Sequence, residues 1–331
     1  MSEGCAFAYP FIFVGANMKK IAFIGECMIE LNGKPFGEMW QSYGGDTLNS
    51  ATYLSRMSSP NDIQVYYVSA LGSDNLSEQM RMHWQADGVN TDWVLKDENH
   101  QPGLYLIQLD EQGERTFLYW RNQSAAHYMV QHHDFSQVLS ALEQVDMIYL
   151  SGISLAILPK NDRTFLLEQL IKLAKKGVQI SFDSNFRPKL WDSFQEAQDC
   201  YLQLLPCVSL ALVTFDDEQL LWNDTNEPAT LTRLHQIGIP KVVVKCGRNG
   251  AIFSDSQTSQ YGQVVPKPIS NVVDTTSAGD SFNAGFLNGY LRNKPLDICC
   301  RQGNYVAGIV IQHKGAIIDK HATSHLQSEF N

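Results

Sequence analysis

Positive charge, paired cysteines and long apolar runs are what this 331-residue chain has least of. Lys and Arg number 25 against 35 Asp and Glu, a formal charge of −10. That balance argues against nucleic acid or an anionic membrane as a general partner, and an anionic small molecule would need local cations. The seven cysteines, Cys5, Cys27, Cys200, Cys207, Cys246, Cys299 and Cys300, include no Cys-x-x-Cys pair. Neither a disulfide framework nor a zinc site is indicated, and buried thiols of a reduced cytosol are expected. No apolar run is long enough to span a bilayer. Residues Cys5 to Val14 are apolar but follow Glu3 instead of a basic stretch, which argues against a signal peptide. No internal repeat, low-complexity tract or linker divides the chain. A Gly-x-x-x-x-Gly-Lys-Ser/Thr loop and the His-Arg-Asp with Asp-Phe-Gly set are both missing, which excludes two phosphoryl-transfer scaffolds.

A hydrophobic content of 44% supports a sizeable core. Short aliphatic runs at Ile21 to Gly25, Val65 to Ala70, Met147 to Leu150, Val178 to Phe182, Leu210 to Val213 and Val242 to Lys245 read as strands. Between them, amphipathic stretches such as Asp46 to Met57, Leu76 to Gln85, Phe165 to Lys175 and Ser193 to Leu205 read as helices. That alternation is the pattern of βαβ units around a mainly parallel sheet. Two regions break it, about 30–43 and 103–121, where alternating polarity and turn residues predict hairpin-like strands standing off the core.

The most informative stretch is Asp274-Thr275-Thr276-Ser277-Ala278-Gly279-Asp280-Ser281-Phe282. The spacing Phe282, Phe286, Leu287, Tyr290 continues it as a helical stripe, so Ser277 to Asp280 fall at the first turn. Unpaired N–H groups and the helix dipole there suit a phosphate, and a carboxylate in the same turn can take a proton from an attacking hydroxyl. A simple helix cap is the other reading of Asp280. Far upstream, Gly44-Gly45-Asp46-Thr47-Leu48-Asn49-Ser50-Ala51 joins a Gly-Gly turn to a helix start, and Asp46 could cap it.

Together the two segments resemble the signatures of the ribokinase-like (PfkB) sugar kinases, Gly-Gly-x-x-x-Asn-x-Ala and Asp-Thr-x-x-Ala-Gly-Asp, in that order along the chain. The resemblance runs from Met18 to about Asp319. It implies a three-layer α/β/α core with a mainly parallel central sheet, and a small β-lid that covers the sugar and carries a homo-oligomer contact. Residues 18–331 would form this kinase domain, and residues 1–17 an upstream extension without order. By motif, Asp280 would be the general base, and the Ala278 to Asp280 amides would stabilise the transferred phosphoryl. Lys245-Cys246-Gly247-Arg248-Asn249-Gly250 resembles the nucleotide loop and is also readable as a hairpin turn. Lys245, Gly247, Gly250, Ser277, Gly279 and Asn304 are thus expected at ATP. Mg²⁺ is implied as cofactor, with Glu218 as an indirect ligand even though Phe215 replaces the asparagine of the family's Asn-x-x-Glu segment. A monovalent cation such as K⁺ near Asp274 and Thr276 is left open.

Substrate class turns on arginine. Tyr119-Trp120-Arg121 ends the second hairpin and Asp183-Ser184-Asn185-Phe186-Arg187-Pro188 follows a core strand, so both arginines stand at strand ends. Two guanidinium groups converging on a pocket suit a carboxylate, whereas a neutral sugar needs only hydroxyl partners. An exposed charge at Arg121 and a salt bridge at Arg187 are the alternatives. The resemblance is strongest to family members that phosphorylate a keto-deoxy sugar acid on its terminal hydroxyl, with Gly45, Asp46, Asn49, Tyr105, Tyr119, Arg121 and Arg187 lining the site. A fructokinase or ribokinase is the nearest rival, and a non-catalytic sugar-acid sensor on the same fold is a rival of another class. A cytoplasmic enzyme without nucleic-acid or membrane partners is expected.

Overall fold

The computed structural model describes residues 18–109 and 115–330. The segment 1–17, expected to be an extension, lies outside them. Thirteen strands occur among the described residues: β1 (Lys19–Ile24), β2 (Met28–Gly33), β3 (Met39–Gly44), β4 (Ile63–Gly72), β5 (Val94–Asp97), β6 (Leu104–Leu109), β7 (Arg115–Trp120), β8 (Met147–Ser151), β9 (Gln179–Asp183), β10 (Leu210–Thr214), β11 (Lys241–Lys245), β12 (Ala251–Asp255) and β13 (Gln260–Val264). Nine form one sheet in the order β13-β12-β11-β10-β9-β8-β1-β4-β5. It is parallel from β5 to β11, and the β12–β13 hairpin extends it antiparallel at one edge.

The central strands read as unbroken apolar runs because both faces of the sheet are covered. In β1, Ile21 and Phe23 point into one core and Ala22 and Ile24 into the other, all fully buried. One core takes Leu166 and Leu170 of the helix Lys160–Lys175, with Ala197 and Leu204 of the helix Phe194–Leu204. The other takes Leu48 and Leu54 of the helix Asp46–Met57, and Phe286 and Leu287 of the helix Ala278–Leu291. Period-two alternation of the strands thus produces the three layers expected.

The small sheet has the order β3-β2-β6-β7, with β2 and β6 parallel and both outer pairings antiparallel. It corresponds to the two stand-off regions, except that its strands begin at Met28 and end at Trp120. Its inner face carries Glu30, Ser42, Tyr105 and Ile107 toward the core domain. A cavity of about 300 Å³ opens there, between Trp40 and Ile107 of the lid and Asp274, Thr276 and Lys314 of the core.

Two close approaches set the positions of the site helices. A Cβ on Gly285 would lie 2.7 Å from the Gln302 carbonyl oxygen, so the helix Ala278–Leu291 sits almost backbone to backbone against the helix Leu296–Val310. Gly45, just ahead of the helix Asp46–Met57, is extended, and a Cβ on it would meet the Glu26 carbonyl oxygen at 2.0 Å. No side chain fits between these two backbones. Gly45→Ala is expected to destabilise the protein by at least the ~1–3 kcal/mol typical of overpacking, read as a lower urea midpoint. A midpoint equal to the parent's would show that the two segments part freely.

Candidate active site

The helices Asn75–Ala86, Phe194–Leu204 and Glu227–Ile237 are each capped by a side chain, from Asp74, Ser193 and Asn226. The helices Asp46–Met57 and Ala278–Leu291 have no side-chain cap. At the second, the N-cap Ser277 adopts a left-handed conformation with φ 63°. The Ala278 N–H donates to the Thr275 carbonyl at 3.2 Å. Ala278 was expected to supply one of the phosphoryl-binding amides; the turn uses that N–H itself. The N–H groups of Gly279 and Asp280 have no acceptor among the described residues. They form an anion-binding helix start with the dipole behind it.

Asp280 is held from the helix Asp46–Met57. Asn49 Nδ2 donates to its Oδ2 at 2.8 Å, and Ser50 Oγ donates to its backbone carbonyl at 3.0 Å. The sugar segment and the phosphoryl turn are therefore stitched together directly. Burial, with the Asp46 carboxylate facing it, pushes the Asp280 carboxyl up to about 7. Asp46 in turn accepts from Asn185 Nδ2 at 2.6 Å. A carboxyl poised near neutrality suits a base that must take and release a proton.

Lys245, at the end of β11, is buried, and its Nζ donates to Asp183 Oδ2 at 2.7 Å. Asn283 Nδ2 donates to the same oxygen at 2.7 Å and to the Tyr149 hydroxyl. A Cβ built on Gly279 would be 3.6 Å from Lys245 Nζ. The ammonium thus lies beside the free amides, adding positive charge where the expected ATP phosphates would be.

The arginines do not converge as free cations. Arg121 Nε donates to Glu26 Oε2 at 2.9 Å, and its Nη2 donates to the same oxygen. Arg187 is half-exposed, donating to the Phe186 carbonyl at 2.9 Å and facing Asp217 at 3.5 Å. Each is answered by its own carboxylate because the surrounding acids would otherwise stand unpaired. Tyr105 donates its hydroxyl to Glu30, and that hydroxyl would be 3.1 Å from a Cβ on Gly44. Tyr119 is 51% exposed and stacks on Phe117 with ring centroids 6.2 Å apart.

Lys245 to Gly250 form the tight turn between β11 and β12, with Gly247 at φ 54° and Gly250 at φ 84°. Asn304 Nδ2 donates to the Val264 carbonyl at 3.0 Å and so braces β13. Glu218, expected as an indirect metal ligand, sits in the helix Phe215–Trp222. It is 1% exposed and paired to Arg233 at 2.5 Å, while burial pushes its carboxyl up to about 6. Asp274 accepts from the N–H groups of Thr276 and Gly315, both at 3.0 Å, tying the catalytic turn to the loop after the helix Leu296–Val310.

The profile of the "pfkB family carbohydrate kinase" group matches residues 18–323. The chain belongs to this family of carbohydrate kinases. A 2-dehydro-3-deoxygluconokinase of Haemophilus influenzae is 80% identical to this kinase over 314 residues, covering 95% of this chain and 100% of its own. Among solved structures, a 2-dehydro-3-deoxygluconokinase of Thermotoga maritima matches with a TM-score of 0.79 at 20% identity, over 94% of this chain and 99% of that one. A fructokinase with bound ATP from Xylella fastidiosa matches with a TM-score of 0.78 at 21% identity, over 95% and 99%. At such identities the two structures establish the ribokinase-like fold.

Glu26, Glu30, Asp183 and Asn283 carry site geometry that motif reading passed over. The signal for Glu26 and Asp183 was their place at the carboxyl ends of β1 and β9, where ligands of open α/β sheets bind. The raised Asp280 carboxyl has a kinetic consequence. A base must be ionised, so kcat/KM of this kinase is expected to rise with pH through about 7. Asp46→Asn removes a charge that opposes Asp280 ionisation, and the acid limb should move to lower pH. An unmoved limb in that variant would show that another group limits the rate.

Proposed function

We propose that this kinase transfers the terminal phosphoryl group of ATP to the 6-hydroxyl of 2-dehydro-3-deoxy-D-gluconate, giving 2-dehydro-3-deoxy-6-phosphogluconate. One observation carries the chemistry: a near-neutral carboxyl, Asp280, bonded to Asn49 in the same helix turn as two unpaired amides. The substrate is supported by the name of the 80%-identical Haemophilus influenzae relative, whose full length this chain covers. ATP is supported by the nucleotide bound in the Xylella fastidiosa fructokinase of like fold.

In this reading the lid and the Gly44–Gly45 turn hold the sugar acid, with Tyr105, Tyr119 and Arg121 above and Asn49 orienting Asp280. Asp280 Oδ takes the proton as the 6-oxygen forms its bond to the γ-phosphorus, and the bond from that phosphorus to the ADP oxygen breaks. The Gly279 and Asp280 amides and Lys245 Nζ face the charge on the transferred group and cost no reorganisation at that moment. Mg²⁺, when bound with ATP, supplies charge neutralisation across its phosphates. Asp183 and Asp217 fit it chemically: they are hard oxygen ligands, and burial with the Asp183 charge nearby pushes Asp217 up to about 6. Glu218 supports this corner from behind through its pair with Arg233.

Asp280→Asn keeps the shape of the helix start and removes the proton acceptor. A fall in kcat of roughly 10²–10⁴ with sugar binding retained is expected. Turnover within threefold of the parent would refute the base. A panel of ATP with keto sugar acids and neutral hexoses tests the substrate: preference for fructose or ribose over the keto acid would favour the rival kinases, and no ADP release with any sugar would favour the sensor.

The lid's outer face gives the reading of a homo-oligomer. By register Leu31, Leu104, Leu106, Leu118 and Trp120 share that face; Leu31 and Leu104 pack against the core, while Leu118 and Trp120 are 38% and 58% exposed. An apolar sheet face of this kind is covered here by a second copy of the chain. Trp120→Lys is expected to halve the mass measured by light scattering, whereas a parent already monomeric at micromolar concentration would overturn this assembly.

A further inference from the structure

We propose that Glu26 is a positioning residue for substrate selection: it clamps two nitrogens of Arg121 so that the third is presented to the sugar. This rests on the sugar-acid reading above. Glu26 lies just past the end of β1, after Gly25, and is 2% exposed. Its Oε2 accepts both Nε and Nη2 of Arg121, and its Oε1 accepts the Ser124 hydroxyl. Ser124 is itself fixed, since its Oγ accepts from the His127 N–H at 3.2 Å. Gly103 closes over the pair: a Cβ there would lie 2.8 Å from Glu26 Oε1 and 3.3 Å from Arg121 Cβ.

With Nε and Nη2 tied to one oxygen, the guanidinium plane cannot turn about its long axis. Nη1 has no hydrogen-bond partner among the described residues, on a side chain that is 9% exposed. The backbone of Glu26 packs on Gly45, four residues before Asn49, which reaches Asp280. Arg121 and the catalytic turn are thus joined by a continuous chain of contacts through Glu26. The arrangement has a clear chemical sense. A free arginine would draw any anion, including ATP phosphates, into the sugar pocket, whereas a compensated one offers directed hydrogen bonds with little net charge. Selection then comes from the geometry of Nη1, and geometry is what Glu26 supplies.

Two conservative variants separate contact from charge. Glu26→Asp keeps the charge and withdraws the carboxylate by one methylene; Glu26→Gln keeps the reach, with its carbonyl facing Arg121 and its amide facing Ser124. Loss of one oriented charge-assisted contact corresponds to about tenfold in affinity. E26D is therefore expected to raise KM for the keto acid about tenfold, with kcat and the KM for ATP within about threefold of the parent. E26Q keeps the reach and should raise this KM less than E26D does, but it leaves the Arg121 cation uncompensated, so inorganic phosphate should compete with the keto acid more strongly than in the parent. In an Arg121→Ala background E26D should change KM no further, because the residue it positions is gone. A larger effect from E26Q than from E26D, additive losses in the double variant, or an equal rise in the ATP KM would each overturn the proposal. Failure of the substrate reading shows separately, as a parent that does not prefer the keto acid; the non-additivity with R121A is then read on whichever sugar the parent phosphorylates.

Discussion

Carboxylates crowd the working end of this sheet, in a chain already carrying a formal charge of −10, and the architecture follows from keeping them apart and ionisable. Asp46, Asp183 and Asp280 each accept from a side-chain amide, of Asn185, Asn283 and Asn49 respectively, at 2.6 to 2.8 Å. A neutral amide satisfies a lone pair without quenching the charge, so Asp280 stays basic where a lysine or arginine in the same place would have made it inert. Only Asp183 receives a cation as well, and that cation, Lys245, is thereby fixed beside the phosphoryl-binding amides. The pairing pattern leaves Asp46 and Asp280 answered by neutral amides and gives Asp183 alone of the three a cation.

Much of this was legible before any coordinates. The helix Asp46–Met57 begins and ends where its apolar spacing says, and each core strand named from an aliphatic run exists with its ends shifted by at most two residues. Local signals suffice there because burial on both faces leaves little choice of residue. The family resemblance implied that Asn49 and Asp280 belong to one site, and their side chains are in direct contact.

The rest was hidden for specific reasons. Arg121 looked like a free cation because its partner Glu26 stands 95 residues away, and nothing local marks a compensated arginine. The loss of the Ala278 N–H depends on the left-handed turn at Ser277, a conformation serine rarely advertises. Asn304 and Glu218 were assigned by family position, and nothing in that position foretold that Asn304 bonds to the end of β13 or that Glu218 pairs with Arg233. Each of these is a question of which partner is nearest in space, and pattern alone does not answer it.

The bond between Asn49 and Asp280 spans 231 positions of sequence. A chain emerging from the ribosome therefore completes the helix Asp46–Met57 early and grows by more than half its length before Asp280 arrives. Until then the strands around β1 can pair, since β1, β4 and β8 all lie within the first half. The uncapped end of the helix Asp46–Met57 nevertheless has nothing to hold. The Asn49–Asp280 contact thus cannot form until synthesis has passed Asp280, and a product terminated before that residue lacks the joined turn.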